Sequence, residues 1–315
     1  MCRFVLYSGP PITLDLLTTR PEHSIIRQSF KARMRTEPLN GDGFGVAWYV
    51  PAISPEPAAF RSIQPAWNNV NLRNLARVTT SGLIFAHVRA ATSGLGVSEA
   101  NCHPFTAGRL AFMHNGAVAG FFDIKRKLQE RLSDAAYAQI GGSTDSEHMF
   151  ALFRDHYERL TASAAHPASG GRQPPGGPHT PRGPNPNGAN HETNGPSIEV
   201  MAEALVTTID EVVELSRESG TEKPCYLNLA VTDGARSVVS RYVSGDSDGP
   251  SLYVQTGKEF VWESGDCRMV PTDDVRAATL VASEPLTEEP GWTPVPRNHL
   301  VLVHPDESVT IRAIE

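Results

Sequence analysis

Four short apolar runs, Cys2 to Tyr7, Gly45 to Val50, Gly82 to Arg89 and Arg109 to His114, alternate with helical patterns over the first half of the chain. Runs of that length between turn residues read as strands, so this half must fold as strands interleaved with helices. One helix is expected to begin near Arg20-Pro21, because proline suits a first helical turn. Another follows Gly142-Ser143-Thr144-Asp145-Ser146-Glu147, where Thr144 and Glu147 have capping-box spacing and Asp145 falls in the first turn.

From Ala162 to Pro196 the chain turns to Gly, Pro, Asn, Ser and His. Such a segment lacks the apolar surface to offset its chain entropy and is expected to be disordered. Beyond it, Ser197 to Ser219 reads as an amphipathic helix with Met201, Leu205, Ile209, Val212 and Val213 on one side. Tyr226 to Thr232 and Ser237 to Val243 flank Asp233-Gly234 as a hairpin, and Leu280 to Ala282 and Leu300 to Val303 add strands. The second half thus supplies more sheet. The expectation is a single domain over residues 2–315, with 162–196 as a loop inserted in it.

Charge and cysteine usage narrow the function. Lys and Arg total 28 against 35 Asp and Glu, a net charge of -7 without long basic runs, so the footprint of a nucleic-acid binder is missing. Cys2, Cys102, Cys225 and Cys267 are too few and scattered for a disulfide framework and form no C-x-x-C pair, which fits a reducing compartment. The opening residues do not read as a signal peptide, and no stretch reaches membrane-spanning length. A cytoplasmic protein is expected. Asn40-Gly41-Asp42-Gly43-Phe44-Gly45 lacks the G-x-G-x-x-G spacing of a dinucleotide loop and precedes a strand rather than a helix.

Cysteine at position 2 allows removal of Met1, which leaves a thiol beside a free α-amine. An amine titrating near pH ~8 can act as general base without a histidine. A residue-2 cysteine can also be incidental. Arg89 ends an apolar run and either grips a carboxylate bidentately or makes an ordinary surface ion pair. Asn115 and Gly116, read as a tight turn after Leu110 to Met113, offer a side-chain amide and a backbone N–H to an oxyanion, or form only a hairpin turn. Asp145 can hold an ammonium or complement the helix dipole. His87, Cys102, His103 and His114 match no closed zinc pattern, and no metal or cofactor is expected.

Met1-Cys2-Arg3-Phe4, Asn40 to Gly45, His87-Val88-Arg89, Asn101 to Phe105, His114-Asn115-Gly116 and Ser143 to Glu147, in that order, resemble the class II glutamine amidotransferases. The resemblance implies a four-layer αββα fold of the N-terminal-nucleophile hydrolases. It also implies Cys2 as nucleophile, Asn115 and Gly116 as oxyanion hole, Arg89 for the substrate α-carboxylate and Asp145 for its α-ammonium. The similarity continues through Arg20 to Ile26, Pro65 to Asn69, Val231 to Gly234, Ser240 to Val243 and Leu280 to Leu286. That full-length pattern resembles the amidotransferase-type subunits of fungal alternative glutathione-degradation complexes, which implies glutathione as substrate and a metallopeptidase-like partner subunit. Glutamine hydrolysis feeding a separate synthase, cleavage of a γ-glutamyl thiol compound in ergothioneine-type synthesis, and a non-catalytic interaction subunit are the alternatives. Ala90, smaller than the residue usual after this arginine in biosynthetic relatives, makes a roomier pocket possible.

Overall fold

The computed structural model describes residues 2–34, 39–91, 96–165, 196–272 and 277–315. In chain order the first half carries β1 (Arg3–Thr13), α1 (Asp15–Thr18), α2 (Ile25–Lys31), β2 (Phe44–Val50), β3 (Ser54–Ser62), α3 (Val70–Val78), β4 (Thr80–Val88), β5 (Phe105–Ala107) and β6 (Leu110–Ala117). Helices α4 (Phe121–Glu130), α5 (Asp134–Tyr137), α6 (Asp145–Ala165) and α7 (Ile198–Glu218) follow. The rest is strand: β7 (Tyr226–Thr232), β8 (Ser237–Arg241), β9 (Tyr253–Gly257), β10 (Glu259–Glu263), β11 (Asp266–Val270), β12 (Ala278–Ala282), β13 (Thr293–Pro294), β14 (His299–Val303) and β15 (Val309–Ala313).

Two antiparallel sheets result, one ordered β13-β9-β12-β1-β4-β2-β3 and the other β15-β14-β8-β7-β6-β5. The central strands, such as β1, β4, β6 and β7, are buried on both faces, which calls for cover on both sides. Phe4, Leu6, Leu83 and Phe85 from the first sheet meet Ala111, Met113, Ala230 and Val239 from the second in a core between the sheets. The outer face of the first sheet packs Val5, Tyr7, Ile84 and Ala86 against α1, α2 and α3, with Phe260 and Met269 of the β10–β11 hairpin. The outer face of the second packs Phe112, Leu227 and Leu229 against α4, α6 and α7. These are the four αββα layers expected. Each fully buried Leu or Ile side chain in α7, such as Leu205 and Ile209, contributes about 1.5–3 kcal/mol.

Local signals placed about half of these elements and misplaced a few ends. Ser197 caps α7 by accepting the Val200 N–H, and the helix spans nearly the range expected. The helix expected at Arg20-Pro21 instead starts at Ile25, because Ser24 caps it through the Arg27 N–H while the His23 imidazole is drawn away to Glu284 at 2.7 Å. Thr144 Oγ1 accepts the Glu147 N–H at 3.2 Å, but the capping box is not closed reciprocally. The Glu147 carboxylate goes to the Gly141 and Gly142 amides at 2.9 and 2.7 Å. The β7–β8 hairpin forms with the connection that the expected strands leave, Asp233 Oδ1 accepting both the Ala235 and Arg236 N–H groups, but β8 ends at Arg241 rather than Val243. Helix α6 continues to Ala165, past the expected start of the insertion at Ala162, and the remainder of that expectation falls outside the described residues. No helix among the described residues is long and apolar enough to cross a membrane.

Candidate active site

Alternation along three strands decides which side chains meet. In β1, Phe4 and Leu6 face the core between the sheets, so Cys2, in step with them, is directed to the same layer. Leu83 and Phe85 set that phase in β4 and carry it to His87 and Arg89; Ala111 and Met113 set it in β6 for Asn115. Register places them at one end. Arg3 lies opposite Val88, and the Cys2 thiol is 3.7 Å from the Ala90 carbonyl. Burial pushes the Cys2 thiol up, while the Arg89 guanidinium pulls it down and the Asp145 carboxylate pushes it up. Cys2, Arg89 and Asp145 thus share one electrostatic environment.

Arg89 is 4% exposed, which removes the reading as a surface ion pair. Its backbone is clamped to the loop before β2: Arg89 N–H donates to the Gly43 carbonyl at 2.8 Å and Asp42 N–H to the Arg89 carbonyl at 3.0 Å. Asp42 Oδ2 accepts the Ala91 N–H at 2.8 Å, and Arg89 Nη1 donates to the Asp42 carbonyl at 3.3 Å. Gly43 can serve there because its φ is +121° and a Cβ would lie 2.6 Å from Cys102 Sγ. No carboxylate pairs with Arg89 among the described residues. A buried guanidinium left this way has N–H donors ready for an incoming anion.

Asn115 and Gly116 correct the sequence reading. They form no turn, since β6 runs on to Ala117 with Asn115 opposite Asn228 and Gly116 opposite Leu227. Asn115 is fully buried; its Nδ2 donates to Ser283 Oγ at 3.2 Å, and its Oδ1 has no partner among the described residues. Its second Nδ2 proton is committed to no acceptor among the described residues. Glycine follows it for a steric reason, as a Cβ on Gly116 would sit 1.7 Å from the Tyr226 carbonyl oxygen and 2.6 Å from His114 Nε2. Gly116→Ala should therefore cost about 3 kcal/mol or more, because the obstacle is backbone of a paired strand. Thermal unfolding of the variant checks this, and a parent-like melting temperature would show that β7 yields easily.

Asp145 opens α6. Its Oδ2 accepts the Val118 N–H at 2.9 Å and its Oδ1 the Ser146 N–H at 2.8 Å, so part of its role is to complement the helix start. No cation pairs with it among the described residues. It lines an open cavity of 450 Å³ with Val118, Phe122, Lys223 and Tyr226. A larger cavity of 760 Å³, beside Arg27, Phe30, Trp67 and Arg73, lies among the outer helices of the first sheet and contains none of the site residues.

The buried histidines support the strand ends. His87 Nε2 is 3.1 Å from the His114 carbonyl, which can only accept, so that nitrogen carries the proton and His103 Nδ1, 2.9 Å away, acts as acceptor. His114 Nε2 donates to the Tyr226 carbonyl at 3.0 Å, leaving Nδ1 to the Ser146 hydroxyl at 2.8 Å. Burial holds all three imidazoles below the usual range, His87 at about 3, and keeps them neutral. Cys102 Sγ lies against the Ser62 and Ser98 carbonyls at 3.6 and 3.5 Å. No three His, Cys, Asp or Glu among the described residues are arranged to hold a metal ion.

Sequence reasoning gave Ser283 and Asp42 no role. Ser283 Oγ accepts both the Phe4 N–H at 3.1 Å and the Asn115 amide, tying β1 to the second sheet. Both residues lie in stretches that carried the family resemblance, Asn40 to Gly45 and Leu280 to Leu286, and that was the only signal available.

With this geometry in view, comparison with known proteins is specific. The family described as "Glutamine amidotransferases class-II" matches residues 19–170. The "Probable glutamine amidotransferase DUG3" of Saccharomyces cerevisiae is 42% identical over 97% of this chain and 84% of its own length. The "Gamma-glutamyl-hercynylcysteine sulfoxide hydrolase" of Mycobacterium tuberculosis is 33% identical over 38% of this chain and 50% of its own. Among solved structures, a glutamine aminotransferase class-II domain protein from Silicibacter pomeroyi superposes with a TM-score of 0.61 at 25% identity, covering 99% of both chains.

Proposed function

The chain belongs to the class II glutamine amidotransferases, and from that membership we propose that it is a γ-glutamyl amide hydrolase whose substrate is glutathione. With Met1 removed, the Cys2 α-amine takes the thiol proton and the thiolate attacks the γ-carbonyl carbon. Asn115 Nδ2 and the Gly116 N–H hold the oxyanion. As the tetrahedral intermediate collapses, the α-ammonium returns a proton to the departing amine, leaving a γ-glutamyl thioester on Cys2. Water hydrolyses that thioester, the α-amine again taking a proton, and glutamate leaves.

One observation carries the substrate class. Arg89 and Asp145, opposite in charge and unpaired among the described residues, lie near enough to the Cys2 thiol to bias its titration in opposite directions. A γ-glutamyl group has the complementary α-carboxylate and α-ammonium. Cys2, Arg89 and Asn115 are directed to one layer at one end of the sheets, Asp145 opens α6, and α6 and α7, either side of the insertion, pack in a common core. We accordingly read residues 2–315 as one catalytic domain. The four free thiols suit a cytoplasmic setting.

Glutathione and glutamine present the same γ-glutamyl end, so discrimination falls to the leaving group. Cysteinylglycine needs room that ammonia does not. Ala90 is a small residue whose carbonyl touches the thiol, a choice that favours such room, and the likeness to a mycobacterial γ-glutamyl hydrolase fits a bulkier leaving group. We infer that a metallopeptidase-like subunit completes the pocket, since binding away from the reacting centre can drive catalysis. The alternative, a glutaminase supplying ammonia to a separate synthase, is favoured by the name of the yeast relative. The kcat/KM for both substrates, measured with and without that partner, decides. Glutathione should be preferred in the complex; a large preference for glutamine there replaces this reading with the ammonia-donor one.

A further inference from the structure

On the opposite face of β1 from the thiol lies a second buried polar cluster with no part in the chemistry above. Arg3 is 1% exposed. Its Nε donates to Glu284 Oε1 at 2.6 Å, Nη1 to the Cys2 carbonyl at 2.8 Å and Nη2 to the Met34 carbonyl at 3.1 Å. Glu284, fully buried, also accepts from His23 Nε2 at 2.7 Å and from the Arg33 and Met34 N–H groups at 2.8 and 3.1 Å. Each carboxylate oxygen therefore has two donors, which satisfies the group. Burial pushes the Glu284 carboxyl up, but the His23 hydrogen bond, the Arg3 charge and the Arg33 amide outweigh it and hold it at about 2.

Resting on the reading of Cys2 as nucleophile, we propose that Arg3 and Glu284 are positioning residues that hold the Cys2 main chain, and hence its thiol and α-amine, in attack geometry. The need is physical. Once Met1 is gone, Cys2 is a strand terminus, the part of a chain most prone to fray. A displacement of roughly 1 Å at a reacting group can cost ~10²-fold in rate. The guanidinium on the Cys2 carbonyl fixes the peptide that leads out of the nucleophile, and Glu284 fixes the guanidinium. Strand register makes the pair: Val5 lies opposite Ala282, and carrying that register toward the N-terminus brings Arg3 across from Glu284 on the same face. The neighbouring residue Ser283 holds the Phe4 N–H and the Asn115 amide. The end of β12 thus locates both nucleophile and oxyanion donor.

Two variants test this. Arg3→Lys keeps a charge for Glu284 but lacks the fork that also reaches the Cys2 carbonyl; Arg3→Met/Glu284→Leu removes both charges and strands neither. For each, kcat and KM for glutamine, the melting temperature, and the pH profile of Cys2 alkylation by iodoacetamide, read by peptide mass, are compared with the parent chain. The expected result is a kcat lower by ~10-fold or more with KM within about two-fold, and a displaced alkylation profile. Parent-like kcat and alkylation in whichever variant folds, with or without a lower melting temperature, overturns the inference by reducing the pair to a structural role. Cys2→Ala run alongside separates the failures. Turnover by Cys2→Ala removes the nucleophile reading itself, whereas an inert Cys2→Ala beside an unimpaired Arg3→Lys removes only the positioning role.

Discussion

Cys2→Ala is expected to lower γ-glutamyl amide hydrolysis by on the order of 10⁴-fold or more while leaving the melting temperature within about 3 °C of the parent chain. The rate falls because no other thiol can substitute. Cys102 is held between two carbonyls, Cys225 is buried in the outer core of the second sheet, and Cys267 belongs to the outer hairpin, where burial pushes its thiol up to about 12. Stability is spared because Cys2 is only half-buried and its thiol makes one long contact, to the Ala90 carbonyl. Intact mass of the active parent protein should correspond to a chain starting at Cys2. Full activity with Met1 retained would remove the α-amine as general base, and a Cys2→Ala protein within about 100-fold of the parent kcat would remove the thioester altogether.

Arg89→Lys should lower kcat/KM for glutamine and glutathione alike by about 10²-fold, mostly through KM. A carboxylate bound bidentately takes two charge-assisted hydrogen bonds from a planar guanidinium; an ammonium is a point charge that cannot match that fork. Loss of one such bond is worth about 1.5–3 kcal/mol. The site offers little compensation, because Arg89 is buried and its one side-chain contact among the described residues is the Asp42 carbonyl at 3.3 Å. An amide substrate lacking the α-carboxylate supplies the control: parent and variant should process it at similar, low rates. If Arg89→Lys keeps kcat/KM within about three-fold on glutamine, the α-carboxylate is held elsewhere.

The starts of two long helices were legible from local chemistry. Ser197 caps α7 as its sequence position suggests, and Thr144 caps α6. The helix at Ile25 was misjudged because proline marks a compatible first turn but cannot show that Ser24, four residues from Arg20, makes the cap. Asn-Gly after an apolar run is a turn signal by the same local logic. It failed at Asn115-Gly116 because β7 lies alongside and continues the pairing, with glycine required by the close approach of the Tyr226 carbonyl. Helices α4 and α3 went unnoticed although Ile124 and Leu128, and Leu72 and Ala76, recur at helical spacing on their buried faces.

By itself the sequence determined the apolar runs that carry Cys2 and Arg89, the position of Asp145 in a first helical turn, and the family pattern that named these residues. Those properties depend on spacing of a few residues, and a linear chain records spacing. Only the tertiary structure decided which strands adjoin: β1 between β12 and β4, and β6 beside β7. That choice brings Glu284 to Arg3 across 281 positions and Ser283 to Asn115 across 168. It also leaves Arg89 and Asp145 without counter-ions among the described residues. Whether a buried charge is paired depends on every element packed around it, and such long-range neighbours have no periodicity from which to read them.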